Sequence, residues 1–198
     1  MTTPRQSSLP VEPVFLQRWS PRSFNVSAVI GEDDLLTMIE AARWAPSAYN
    51  IQPWRFTYSL RDDAQWSHYL DLLIPFNASW AKNASALIFL ASDTLVDTEE
   101  MSEPRPSHYH NFDAGAAWAQ LALQATMMGY NTHAMAGIHK EKAQEYLRLP
   151  DRYDVQIAIA VGQVDQPDKL PATLKEREVI SQRLNLDKIA FAGTYQNE

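Results

Sequence analysis

The sequence predicts an α+β fold in a single domain, and three observations carry that prediction. Helical and strand patterns follow one another along most of the chain. The strand-like segments 84–91 and 155–161 are almost wholly apolar, as buried strands are. A chain of 198 residues that is 45% hydrophobic and 21% charged is ordinary globular material with enough apolar surface for one sizeable core.

Residues 11–18 read as a short helix. It runs into Arg18-Trp19-Ser20-Pro21-Arg22-Ser23-Phe24, where Pro21 breaks the pattern and leaves two arginines and two serines near a turn. Residues 32–45 place Leu35, Ile39 and Ala42 on one face of a helix, with Glu32, Asp33 and Asp34 at the end where the helix dipole favours negative charge. Pro46 stops that helix. After Pro53, Trp54-Arg55-Phe56-Thr57-Tyr58 alternates and is rich in β-formers, so the segment between the prolines is a short loop that presents Ser47, Asn50 and Gln52. Such a loop is either a ligand-binding turn or a plain connection whose polar groups satisfy the local backbone.

Residues 62–73 form a third helical pattern, with Trp66, Tyr69, Leu70 and Leu73 on one side, and residues 84–91 a buried strand. Pro75-Phe76-Asn77 lies between them. Residues 92–110 carry Asp93, Asp97, Glu99, Glu100 and Glu103 with Pro104 and Pro106, the composition of a solvated, mobile loop. Residues 111–128 are the most apolar helical pattern, with Ala114, Trp118, Leu121, Ala125 and Met128 at three- and four-residue steps and Gly129 as the C-cap. This helix is core or a subunit interface. A strand at 130–135, the turn Ala136-Gly137-Ile138, a helix at 140–147 and a strand at 155–161 closed by Gly162 complete the pattern. The tail, 163–198, holds little core of its own and ends in a weak strand around 187–191. It reads as an arm that packs on something else, adding a strand to a partner's sheet.

The absence of cysteine excludes disulfides, thiolate metal sites and a cysteine nucleophile, so any redox function must use a cofactor. Residues 1–10 contain no apolar run of signal-peptide length, and nowhere is there the roughly 20-residue apolar stretch of a membrane span, so a cytoplasmic protein with no membrane partner is expected. A net charge of −7 argues against general nucleic-acid binding but not against a small anion held by a local cluster of arginines. His108 and His110 flank Tyr109. Without a further ligand at helical spacing they are expected at the rim of a site rather than on a metal, and Trp118 and Met128 are expected in packing.

Together these segments resemble the FMN-dependent nitroreductase family, in the right order over nearly the whole chain. Residues 18–24 are similar to its Arg-Arg-Ser-x-Arg-x-Phe element, with Trp19 in place of the second arginine. The resemblance puts Arg18 and Ser20 on the FMN phosphate and ribityl chain and Arg22 at the pyrimidine edge of the flavin. Pro46-Ser47-Ala48-Tyr49-Asn50-Ile51-Gln52-Pro53-Trp54 matches the family's Pro-Ser-x-x-Asn-x-Gln-Pro-Trp, which implies Pro46, Ser47, Ala48, Asn50 and Gln52 as a wall against the cofactor. Asn77, with Trp80 and Ala81, resembles Asn-x-x-Trp-Ala, whose asparagine contacts the flavin of its own or of the facing subunit. Ala136-Gly137-Ile138 resembles the turn whose backbone N–H groups meet the flavin N5 and O4 edge. Arg183 matches the late basic residue of the phosphate site, and Ser181 stands where relatives often carry Lys or Arg, which implies a lighter clamp.

The resemblance further implies a central mixed, mainly antiparallel β-sheet flanked by helices. It also implies a homodimer built on the helix at 113–128, and a C-terminal arm, 163–198, swapped onto the partner. An FMN phosphate near two negative charges needs converging donors such as Arg18, Arg183 and Ser20. A cation such as Arg22 beside the reduced ring would raise its potential, since unit charges ~4 Å apart at an effective dielectric of ~20 interact by about 4 kcal/mol before solvation costs. The implied activity is ping-pong hydride transfer from NAD(P)H to a nitroaromatic, quinone or similar flat acceptor, which requires no catalytic acid or base from the protein. Dehalogenation, flavin fragmentation, ring oxidation or flavin binding without turnover are the alternatives that the same scaffold leaves open.

Overall fold

The computed structural model describes residues 5–98 and 101–196. The strands are β1 (Trp54–Leu60), β2 (Ala86–Asp93), the two-residue β3 (Leu95–Val96) and β4 (Arg105–Pro106), β5 (Asn131–Met135) and β6 (Tyr153–Gly162). The helices are α1 (Pro13–Gln17), α2 (Glu32–Arg43), α3 (Trp66–Asp71), α4 (Pro75–Ala81), α5 (His110–Met127), α6 (Lys140–Tyr146) and α7 (Ala172–Lys175). β1, β2, β6 and β5 form one sheet in that order, antiparallel at every pair, and β3 and β4 form a separate ribbon. The mixed character implied above would need a further, parallel strand, and the tail supplies none to its own sheet.

All eight residues of β2 are buried because both faces of the sheet are covered. Side chains alternate across a strand, so Ala86, Ile88 and Leu90 pack with Leu35, Met38 and Leu121 of α2 and α5, while Leu87 and Phe89 pack with Tyr69, Leu72 and Trp80 on the other side. α2 starts at the acidic run and ends before Pro46, as the pattern predicts, and Gly129 takes the left-handed φ of +81° expected of a helix-ending glycine. No helix among the described residues is long and apolar enough to cross a membrane.

Four segments differ from the sequence reading. α4 is new: Pro75 opens it and Trp80 and Ala81 are buried, but seven residues span too few turns to display a helical period. α3 starts at Trp66 rather than at 62, because Asp62 sits at φ +74° in the turn that leaves β1. The segment 92–110 is partly structured: the β3–β4 ribbon forms within it, and Arg152 grips Asp93 through two contacts of 2.8 and 2.9 Å. Glu99 and Glu100 lie outside the described residues.

The tail differs most. No strand forms at 187–191 in the single chain, where Leu186–Lys188 is a 3₁₀ turn and the tail pairs with neither edge strand of its own sheet, β1 or β5. The first part of the tail belongs to its own core: Leu170 and Leu174 are buried, and the Glu178 carboxylate accepts the backbone N–H groups of Arg22 and Ser23 at 2.7 and 2.8 Å. Beyond Glu178 the chain lies on the surface, with Leu184, Leu186 and Ile189 53–72% exposed. The tail thus divides at Glu178 into a part packed on its own core and a surface part.

Candidate active site

Three arginines converge where the N-terminal segment meets the tail. Arg18 Nη1 donates to Ser20 Oγ at 3.3 Å, and Arg183 Nη1 donates to Ser181 Oγ at 3.0 Å. Arg5 Nε donates to the Ser181 carbonyl at 2.8 Å. None of the three forms a salt bridge with a carboxylate among the described residues. Burial first, and then the charges of Arg5 and Arg183, push the Arg18 pKa below its ordinary value, so a cation is held here without compensation. A cleft of about 360 Å³ places Arg18 and Ser20 against Trp118, Ala122 and Leu123 of α5 and Ala134 of β5. Trp19 is half-buried between these two donors.

A second group lies beside the first. Arg22 Nε is buried with no hydrogen-bond partner among the described residues, an orphaned donor on a residue whose pKa is lowered by burial and then by Arg177, against the opposing pull of Glu178. Asn77 Nδ2 donates to the Gly137 carbonyl at 2.9 Å, so these two are held by one subunit. A Cβ on Gly137 would stand 2.5 Å from that Nδ2 and 2.7 Å from Ile74 Cδ1. The glycine is thus required by the chain's own packing around Asn77. Ala136, exposed beside it, accepts the Ile138 N–H at 3.0 Å and closes the turn.

The loop between the two prolines stands apart. Ser47 Oγ accepts the Gln52 N–H at 3.0 Å, Gln52 Nε2 donates to the Asn50 carbonyl at 3.0 Å, and the Ala48 N–H reaches buried Asp113 at 3.2 Å. Tyr49, Asn50 and Gln52 all have φ of 53–55°, a left-handed conformation that disfavours non-glycine residues by roughly 1–2 kcal/mol each, asparagine least. Pro46 is exposed, and Tyr49 is 92% exposed. These contacts tie the loop to the first turn of α5, while the arginine cleft is lined by Trp118, Ala119, Ala122 and Leu123 further along the same helix.

Two residues of this region carry no motif. Arg5 lies outside every sequence element singled out above. His133 sits in the middle of β5, with its ring 4.7 Å from that of Trp80 and Nδ1 2.8 Å from the Pro21 carbonyl, so it holds the turn that carries Ser20 and Arg22. His110 Nδ1 lies 2.8 Å from Ser92 Oγ, and His108 lines a cavity with Tyr49, Met101 and Tyr109.

Burial, and secondarily the charges of Arg22 and Arg18, push the His133 pKa down from 6.5 to about 4, with the Pro21 and Ser20 carbonyls pulling the other way. A depressed histidine pKa means that the unfolded chain takes up a proton before the folded chain does as pH falls. Stability is therefore lost between about pH 6.5 and 4, and this residue alone should remove about 2 kcal/mol between pH 7 and 5. Denaturant unfolding of wild type and His133→Gln at both pH values checks this: the variant should lose less stability, and equal losses would refute the assignment.

A family model described as the nitroreductase family matches residues 15–75 and 65–163. The chain is 29% identical over 185 residues to a CLA biosynthesis enone reductase of Lactiplantibacillus plantarum, covering 77% of this chain and 85% of that protein. It is 25% identical over 186 residues to the putative NAD(P)H nitroreductase YodC of Bacillus subtilis (strain 168), covering 78% and 89%. A crystal structure described as an oxidoreductase containing FMN superposes with a TM-score of 0.93 at 46% identity, over 98% of this chain and 97% of that one.

Proposed function

The chain belongs to the nitroreductase family, and from that premise we propose that it is an FMN-dependent oxidoreductase that uses NAD(P)H to reduce a flat conjugated acceptor, a nitroaromatic or a quinone, in a ping-pong cycle. The observation that carries this reading is the cluster of guanidinium groups with no carboxylate among them in a protein of net charge −7. Such an arrangement is unfavourable until an anion joins it, and a phosphate is the anion whose geometry arginine forks fit. Bound FMN would supply the carrier that takes up two electrons from the donor and yields them to the acceptor.

The residues of this chain do the rest. Arg18, Ser20 and Arg183 would hold the phosphate, with Trp19 beside them. The orphaned Nε and the charge of Arg22 would serve the edge of the ring that becomes negative on reduction. Asn77, fixed by the Gly137 carbonyl, would present its amide oxygen to the ring, and Ala136 leaves its approach open. The wall at Pro46, Ser47, Ala48, Asn50 and Gln52 would close a flavin site at the subunit interface, tied there to α5 through Asp113. That geometry supports a homodimer packed through α5, whose outer face carries exposed Phe112 and Met127. A cavity of about 670 Å³ lined by Ala48, Tyr49, Ile51, Met101, His108 and Tyr109 adjoins this wall and would receive the acceptor. A conjugated enone is the second acceptor class to assay, given the relative named as an enone reductase.

Purified full-length protein should be yellow or take up added FMN. In stopped flow its flavin should be reduced by NADH or NADPH, and steady-state oxidation of that donor should follow on adding a nitroarene, a quinone or an enone. A colourless protein that does not take up FMN would refute the reading. Reduction without turnover of any of the three acceptors would refute the acceptor assignment.

A further inference from the structure

On the premise that the FMN phosphate lies beside Arg18 and Arg183, we propose that Arg5 is a third guanidinium of that phosphate site, reaching in from the N-terminal segment and tying it to the C-terminal arm around the bound anion. Arg5 makes contacts to both ends of the chain. Its Nε donates to the carbonyl of Ser181, 176 residues away, and its Nη1 donates to the carbonyls of Leu16, at 3.2 Å, and Arg18. Three of its five N–H donors are used in this way. The remaining amino group, Nη2, has only a 3.5 Å approach to Ser181 Oγ, the same hydroxyl that Arg183 Nη1 reaches at 3.0 Å. Two guanidinium groups thus point donors at one hydroxyl, with the third braced through its own backbone.

Holding three like charges this close is unfavourable, and no salt bridge among the described residues relieves it. The repulsion is felt at Arg5, whose pKa is lowered by burial and then by Arg183. A purely structural brace would need no cation, since a neutral amide side chain also donates to carbonyls. A dianion beside Nη2 turns the repulsion among the three into attraction. It also accounts for an arginine at the position that links residues 16–18 to Ser181.

Flavin-stripped full-length protein, titrated with FMN and with riboflavin by fluorescence quenching, tests this, because riboflavin lacks only the phosphate. Wild type should bind FMN far more tightly than riboflavin. Arg5→Gln should weaken FMN binding about ten- to a hundredfold, the span for losing one hydrogen bond to a charged group, and leave riboflavin affinity within roughly threefold. Arg5→Lys, which keeps the charge, should recover part of the loss, and it remains informative if the glutamine variant does not fold. Equal weakening of FMN and riboflavin, or no change in either, would overturn the role of Arg5 while leaving the phosphate site standing. If wild type itself fails to prefer FMN and Arg18→Gln changes nothing, the phosphate site is misplaced and the proposal falls with it.

Discussion

Removal of residues 180–198 should leave a folded chain that no longer retains FMN or a partner subunit. The fold should survive because the parts of the tail that serve it lie before the cut: Leu170 and Leu174 in the core and the Glu178 carboxylate under the backbone of Arg22 and Ser23. FMN retention should fail because Ser181 and Arg183 are lost, which also removes the far anchor of Arg5. Association should fail because Leu184, Leu186 and Ile189 are exposed in the single chain. Burying three such side chains on a partner is worth about 2 kcal/mol each before the loss of chain entropy on docking. The 450 nm absorbance per protein and sedimentation equilibrium read the two losses, and circular dichroism reads the fold. A truncated protein that remains a flavin-loaded dimer would refute both the arm and the placing of Arg183. A cut after Gly162 is expected to be worse, since it also strips core.

Gly137→Ala should be the most damaging single methyl in the site. The added carbon would fall 2.5 Å from Asn77 Nδ2 and 2.7 Å from Ile74 Cδ1, so the Asn77 amide must swing away and its hydrogen bond to the Gly137 carbonyl is lost. Asn77 has little room to move, being 9% exposed, and overpacking of this kind is destabilising by about 1–3 kcal/mol. For a chain of this length that lowers Tm by roughly 2–4 °C per kcal/mol. FMN affinity should fall together with Tm. Asn77→Ala with wild-type glycine separates the two effects: it should reproduce the loss of FMN with a smaller change in Tm. A Gly137→Ala protein with unchanged Tm and FMN affinity would show that the turn is looser than described.

Much of this was legible in the sequence where a signal repeats locally. The helical face of α2, the apolar run of β2, the proline-bounded loop and the glycine after α5 each rest on residues a few positions apart, so periodicity and local backbone preference reveal them. α4 escaped because two turns do not establish a period. The weak strand at 187–191 is absent from the single chain because a strand is a relation to a neighbour, and the apolar residues that suggest one are equally suited to docking on another surface. His133 carried no signal at all. Its importance comes from Trp80 and the Pro21 carbonyl, which reach it from distant parts of the chain.

Sequence alone therefore determined the α+β class, the residue types able to hold a phosphorylated flavin, and the resemblance that joins them. Only the tertiary structure decided which of them share a wall: that Arg18, Ser20 and Arg183 gather with Arg5, that Asn77 belongs with Gly137, that the loop at 46–53 is tied to Asp113 of α5, and that Glu178 of the tail is held under Arg22 and Ser23. The physical reason is range. Backbone preferences and amphipathic spacing act over a few residues, while the site is assembled by contacts between residues as far as 176 positions apart, whose geometry depends on how the helices pack on the sheet.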